Sequence, residues 1–113
     1  MSIQINEIER EAIQSLYKSI KDQLKVKKLV LFGSRARGDA DEYSDIDLLV
    51  LTGNPKTFSD RNKLADLSAG INVDYGVTIS CLYYNSNDWD SGEIINPLLK
   101  QNIEREGIEF VIQ

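Results

Sequence analysis

The chain has 113 residues, 42% of them apolar, with 13 lysines and arginines against 18 acidic residues, one cysteine and no histidine. That length can bury a core without staples and predicts one domain over residues 1–113. The inventory excludes imidazole bases, Cys-His and Ser-His pairs, internal disulfides and Cys-rich zinc sites, so any metal here is held by oxygen, as Mg²⁺, Mn²⁺ and Ca²⁺ are.

No apolar run approaches the ~20 residues that span a bilayer, and Glu7, Glu9, Arg10 and Glu11 interrupt any signal-peptide core. The expectation is a cytoplasmic protein with no membrane partner. A net charge of −5 argues against duplex nucleic acid, and against sequence-specific DNA, as a partner. The charge is segregated along the chain, however. Seven of the 13 cations fall between Lys18 and Arg37, and Asp39, Asp41, Glu42, Asp45 and Asp47 follow. A basic block abutting an acidic one could suit an anion that arrives with a divalent cation, though charge alone favours the plainer reading of a solvated mixed surface.

Residues 6–24 carry Ile8, Ala12, Ile13, Leu16, Ile20 and Leu24 on one helical stripe, with Lys18, Lys21 and Lys25 near the end, where cations suit the dipole. Residues 28–32 are short, apolar and stopped by Gly33, which predicts a buried strand. Residues 45–51 form a second strand and 77–84 a third. Between them, residues 60–69 have helical spacing through Leu64, Leu67 and Ser68, with Ser59 as cap. The loop Gly53-Asn54-Pro55 separates that helix from the second strand. Pro97 suits a first helical position, Leu98, Leu99 and Ile103 mark the last helix, and Gly107 ends it. Residues 108–111 follow as a short edge strand. The predicted class is α/β, a small mixed sheet with helices packed on it.

Chemistry concentrates in one stretch. At Gly33-Ser34 a buried strand ends where a short helix can begin. Glycine lets the backbone approach a phosphate, and the serine adds a hydroxyl. Asp45 and Asp47 stand at i and i+2 of the next strand, so both carboxylates leave one face while Ile46 and Leu48 enter the core. Their Cα atoms lie roughly 6.5–7 Å apart, a frame for one or two oxygen-bound metals. Like charges side by side at a strand start repel, and Asp is a poor strand former, so stability does not explain the pair. Taken singly, Gly-Ser also reads as a plain turn, and Asp-x-Asp as a turn cap beside a solvated residue.

Rival motifs fail on their residues. Gly33 and Gly38 have the spacing of a Walker A loop, but Asp39 and Ala40 stand where Lys and Ser/Thr are required. An EF-hand loop begun at Asp39 puts Val50 at the bidentate position. No G-x-G-x-x-G occurs.

In combination, Gly33-Ser34-Arg35-Ala36-Arg37-Gly38 followed by Ser44-Asp45-Ile46-Asp47-Leu48 resembles the signature of the polymerase-beta-like nucleotidyltransferase superfamily, and within it the small prokaryotic minimal nucleotidyltransferases. The tail Asn96-Pro97-Leu98-Leu99 to Asn102-Ile103-Glu104-Arg105-Glu106-Gly107-Ile108 is similar to the end of those chains. The resemblance implies the polymerase-beta palm-like fold and transfer of a nucleoside monophosphate, AMP from ATP, with pyrophosphate release. It implies nucleotide binding by Gly33 and Ser34, and binding of Mg²⁺ or Mn²⁺ by the catalytic carboxylates Asp45 and Asp47. It also implies a small helical HEPN-type protein as partner, in a pair like a toxin and antitoxin. With 113 residues, the acceptor is expected to come from that partner.

Three points stay open. Arg37 either contacts a phosphate or pairs with Asp39, Asp41 or Glu42, while Arg35 is assigned to the surface. The family's third catalytic carboxylate has no counterpart in residues 77–84; Asp74 is the nearest candidate, with Ser80 or Thr78 in its place otherwise. If the site is incomplete, the same fold acts as an antitoxin by contact alone. Trp89 and one of Tyr83 and Tyr84 are assigned to packing, and Cys81 to the core as a small hydrophobe.

Overall fold

The computed structural model describes residues 4–41, 43–55, 57–92 and 95–110. Along the chain run α1 (Glu7–Ile20), β1 (Val26–Phe32), α2 (Ser34–Arg37), β2 (Ile46–Thr52), α3 (Phe58–Tyr75), β3 (Ile79–Asn85), α4 (Ser86–Ser91), α5 (Pro97–Glu106) and β4 (Ile108–Glu109).

A reciprocal cap starts α1: Asn6 Oδ1 accepts the Glu9 N–H at 2.8 Å, and Glu9 Oε1 accepts the Asn6 N–H at 3.0 Å. Ala12, Ile13, Leu16 and Ile20 are sealed beneath the helix, as the stripe predicts. Ile8 is not; it is 55% exposed, because the buried face at i−3 from Ala12 falls on Glu9. The helix also stops at Ile20, although Leu24 in the following turn stays buried.

The four strands order as β3-β2-β1-β4. β1 pairs antiparallel with β2 and β4, whereas β2 and β3 run parallel and so need a crossover. The helix α3 supplies it, and its 18 residues exceed the predicted 60–69 at both ends. Thr57 rather than Ser59 is the cap, accepting the Asp60 N–H at 3.1 Å. Past Ala69 the helix continues because Ile71 is buried and Asn72 clamps the start of β3, with its Oδ1 2.8 Å from the Ile79 N–H and its Nδ2 donating to the Ile79 carbonyl at 3.1 Å. A further helix, α4, was not predicted; Asn85 caps it by accepting from the Asn87 and Asp88 N–H groups. Pro97 opens α5, as expected. The edge strand is Ile108–Glu109, paired with Leu31 and Val30; Val111 lies outside the described residues.

Alternation along the strands sorts the core into two layers. Leu29, Leu31, Ile46, Leu48, Val50 and Ile79 pack under α1 and α3. Leu49 and Leu51 face the other way, with Val30, Phe32, Leu82 and Tyr84, and meet Trp89 of α4, Ile103 of α5 and Ile95 from the segment before α5. Among the described residues no helix is long and apolar enough to cross a membrane.

Candidate active site

Five of the seven residues of β2 are buried in an unbroken run from Leu48 to Thr52, and Ile46 is buried as well; Asp47 alone is half-buried. The second layer's cover gives out at this end of the sheet. Asp47 sits in register with Phe32 on one side and Ser80 on the other. Asp45, two residues back and just before β2, is exposed and near enough for its charge to act on Asp47.

Gly33 follows Phe32 at φ +76° and ψ −158°, a region open essentially to glycine alone. A Cβ at Gly33 would also collide with Asp47 Oδ2. The backbone conformation therefore demands glycine, a Cβ there would also displace the Asp47 carboxylate, and the backbone after β1 lies directly against a carboxylate of β2. Ser34, half-buried, is the next residue and opens α2. The structure thus brings Gly33, Ser34, Asp45 and Asp47 to one end of the sheet.

The electrostatics follow from that crowding. Partial burial is the main cause that raises the Asp47 carboxyl above the ordinary Asp range; the negative Asp45 adds to it, and Arg37 acts in the opposite sense. Among the described residues neither carboxylate accepts a hydrogen bond or enters an ion pair. Two hard oxygen donors, one desolvated and short of positive charge, fit a divalent cation of the Mg²⁺ or Mn²⁺ kind. No set of three acidic or cysteine side chains that could hold a metal occurs among the described residues. A cation on this pair would complete its shell with phosphate oxygens and water, as Mg²⁺ commonly does.

Asp74 does not join the pair. It is exposed in the last turn of α3, and α3 covers the layer of the sheet opposite Asp47. The position beside Asp47 belongs to Ser80, by the parallel register, and Thr78 precedes it at the level of Asp45, where its carbonyl accepts the Ile46 N–H.

The two arginines of α2 go to different places. Arg37 is exposed and pairs with Asp39 at 3.2 Å and with Glu106 of α5 at 3.1 Å. Those two hydrogen bonds, Glu106 first, raise its pKa. Of its expected partners, Asp39 is one, Asp41 is not, and Glu42 lies outside the described residues. With Phe32, Gly33, Asn102 and Glu106, Arg37 lines a cleft of about 260 Å³. Arg35, expected at the surface, is instead buried, with its guanidinium 2.8 Å from Glu9 Oε1. The sequence hint was available in Glu9, an acid on the buried face of α1 that requires a cation. Glu106 carried no local hint, being 69 residues from Arg37.

Other assignments resolve simply. Trp89 is buried, Tyr83 is buried while Tyr84 is half-buried, and burial pushes the thiol of the half-buried Cys81 up to about 12, away from the reactive thiolate. A cleft of about 350 Å³ between α3 and β3 is larger than the one at Gly33 but contains no carboxylate; volume alone does not locate the chemistry.

Comparison with known proteins identifies the family and the fold. Residues 13–109 match the family model for the nucleotidyltransferase domain. The chain is 36% identical over 107 residues to "Putative protein adenylyltransferase MJ0435" of Methanocaldococcus jannaschii, covering 95% of this chain and 98% of that one. A solved structure described as "Structure of putative minimal nucleotidyltransferase" superposes with a TM-score of 0.58 at 28% identity, over 87% of this chain and 89% of the other. Another, "Crystal structure of the toxin-antitoxin with AMP-PNP", shares the fold with a TM-score of 0.63 at 21% identity, over 92% and 74%. The chain therefore has the nucleotidyltransferase fold, belongs to the nucleotidyltransferase domain family and is an enzyme of that kind.

Proposed function

We propose that the protein transfers AMP from ATP to a side chain of a partner protein, with Mg²⁺ or Mn²⁺ held by Asp45 and Asp47. The oxygen of an acceptor hydroxyl attacks the α-phosphorus and gives up its proton to solvent, the bond to the bridging β-phosphate oxygen breaks, and its electron pair leaves with pyrophosphate. Such a displacement needs in-line positioning and neutralised charge more than a strong protein nucleophile, which a chain without histidine can supply. When bound, the cation offsets the charge developing between attacking and leaving oxygens.

The protein's own part is binding and orientation. Gly33 lets the backbone lie close to the phosphates, and the Ser34 hydroxyl donates to them. Asp45 and Asp47 fix where the cation sits relative to that backbone. Arg37 adds positive charge to the adjoining cleft, on the condition that a phosphate oxygen replaces one of its present carboxylates. The contact between Gly33 and the Asp47 carboxylate carries this reading, because it puts a phosphate-approaching backbone and a cation ligand in one place. The partner is read as a small helical HEPN-type protein in a cytoplasmic toxin and antitoxin pair. Support comes from the motif resemblance, from the relatives' names and from a fold shared with a toxin-antitoxin structure.

A second reading, neutralisation of the partner by contact alone, has one observation in its favour: the pair lacks a third acid among the described residues. One experiment separates the two. Wild type and Asp45→Asn/Asp47→Asn are incubated with a candidate partner, ATP labelled at the α-phosphorus and Mg²⁺. Transfer predicts label on the partner, about a hundredfold or more weaker with the variant, since even residues supporting a metal ligand are worth up to that much. A partner silenced equally by both proteins, without label, would establish the contact reading.

A further inference from the structure

The loop that delivers Asp45 to the site is held from below. Arg35 is buried between α1 and the loop, with its side chain 10% exposed. Its guanidinium is spent in two directions. Nη2 and Nε both donate to the carbonyl of Ser44, at 2.8 and 3.3 Å, and Nη1 donates to Glu9 Oε1 at 2.8 Å and to the Gln4 carbonyl at 2.9 Å. Ser44 is the residue immediately before Asp45.

The geometry points to Arg35 as a positioning residue: its fork on the Ser44 carbonyl fixes the backbone from which Asp45 projects, and Glu9 fixes Arg35 in turn. This rests on the reading of Asp45 and Asp47 as the cation-holding pair. Four further hydrogen bonds make the assignment specific to the loop. Gln4 Oε1 accepts the Ala40 N–H at 2.6 Å, and the Gln4 N–H donates to the Arg35 carbonyl at 3.0 Å. Asp41 Oδ1 accepts from the Tyr43 N–H and the Ser44 hydroxyl, which closes the turn before Asp45. Among the described residues, the hydrogen bonds of Ala40, Asp41, Tyr43 and Ser44 thus come from the turn itself or from the segment Gln4–Glu9 acting directly or through Arg35. A planar fork suits this task, because one group must meet a carbonyl on one edge and a carboxylate on the other; a lysine ammonium has no such fixed fork.

The test separates holding the loop from holding the fold. Mn²⁺ binding in the presence of ATP is followed by the loss of the free-ion EPR signal, alongside thermal melting, for four proteins. These are wild type, Glu9→Gln, Arg35→Lys and the double variant Glu9→Gln/Arg35→Met. Gln at position 9 keeps an acceptor for Asn6 and Arg35 while removing the charge, so Glu9→Gln should melt lower yet bind Mn²⁺ with unchanged affinity. Arg35→Lys keeps a cation opposite Glu9 and should melt near wild type, but its Mn²⁺ affinity should fall about 10- to 100-fold, the range seen when support for a metal ligand is removed. The double variant avoids an unpaired buried charge and should show the same loss of Mn²⁺ affinity. Losses of affinity that simply track melting temperature across the set would overturn the assignment, as would loss of cooperative melting in both Arg35 variants, which would make Arg35 a folding residue. If wild type binds and the Arg35 variants bind equally well, only the role of Arg35 fails. If wild type binds no Mn²⁺ with ATP, the cation site fails and Arg35 falls with it.

Discussion

On one face of the sheet, Leu29, Leu31, Ile46, Leu48 and Val50 lie under α1 and α3 with at most 2% of any of them exposed. On the other face, Leu51 and Leu49 are buried under α4 and α5, and burial then stops at Asp47. The same strand supplies both faces by simple alternation. The difference lies in how far the covering helices reach. Where cover is complete, a side chain contributes by filling space; where it ends, an acid can be half-desolvated without being sealed in, and the strand end becomes available for chemistry.

The largest effect expected from this contrast is on stability. Leu48→Ala should cost about 2–5 kcal/mol, the range for emptying a sealed leucine site. Leu82→Ala, half-buried on the open face, should cost less than about 2 kcal/mol. Urea unfolding of both variants checks this, and equal costs would break the distinction between the faces.

A second prediction concerns the seam where glycine meets acid. Gly33→Ala forces a positive φ on a residue with a side chain and drives its Cβ into Asp47. It should cost about 1–3 kcal/mol and weaken Mg²⁺-ATP binding together with stability. Retained stability with normal binding, by melting and calorimetry, would remove the close approach from the account.

The smallest effect is electrostatic. Burial and Asp45 raise the Asp47 carboxyl in the folded protein, so between the ordinary carboxylate value of about 3.9 and the raised one the native state holds more protons than the unfolded chain. Stability of the metal-free protein should therefore fall as pH rises through that window. Asp47→Asn should be slightly more stable than wild type at neutral pH, with the advantage vanishing in acid below the unfolded value. Partial exposure and the nearby Arg37 keep the effect small. A variant less stable than wild type at neutral pH would show that the Asp47 carboxylate is a structural anchor.

Much of this arrangement was legible in the residues themselves. The Asp-x-Asp spacing put both acids at one end of the second strand, and the short apolar strand ending at Gly33 predicted the turn against which Asp47 lies. Local pattern fails where identical letters are sorted by distant partners. Arg35 and Arg37 stand two apart on a four-residue helix. One is buried because Glu9 of α1 reaches it, the other exposed beside Glu106 of α5. The same limit explains α3: its apolar residues do not form one clean stripe, since Phe58 and Val73 are 79% and 83% exposed, so periodicity found only its middle. The missed α4 is six residues long, too short for periodicity, and its signal was the cap at Asn85. Asp74 was drawn to the site by proximity in sequence to β3; the crossover places it on the other side of the sheet.

The most direct measurement is a calorimetric titration of ATP into the purified protein, with Mg²⁺ and with EDTA, repeated on Asp45→Asn/Asp47→Asn. The account predicts binding that requires the cation and disappears in the variant while its melting temperature holds. Equal binding of ATP by wild type and variant, or binding indifferent to EDTA, would contradict the claim that the open end of β2 is a cation and nucleotide site.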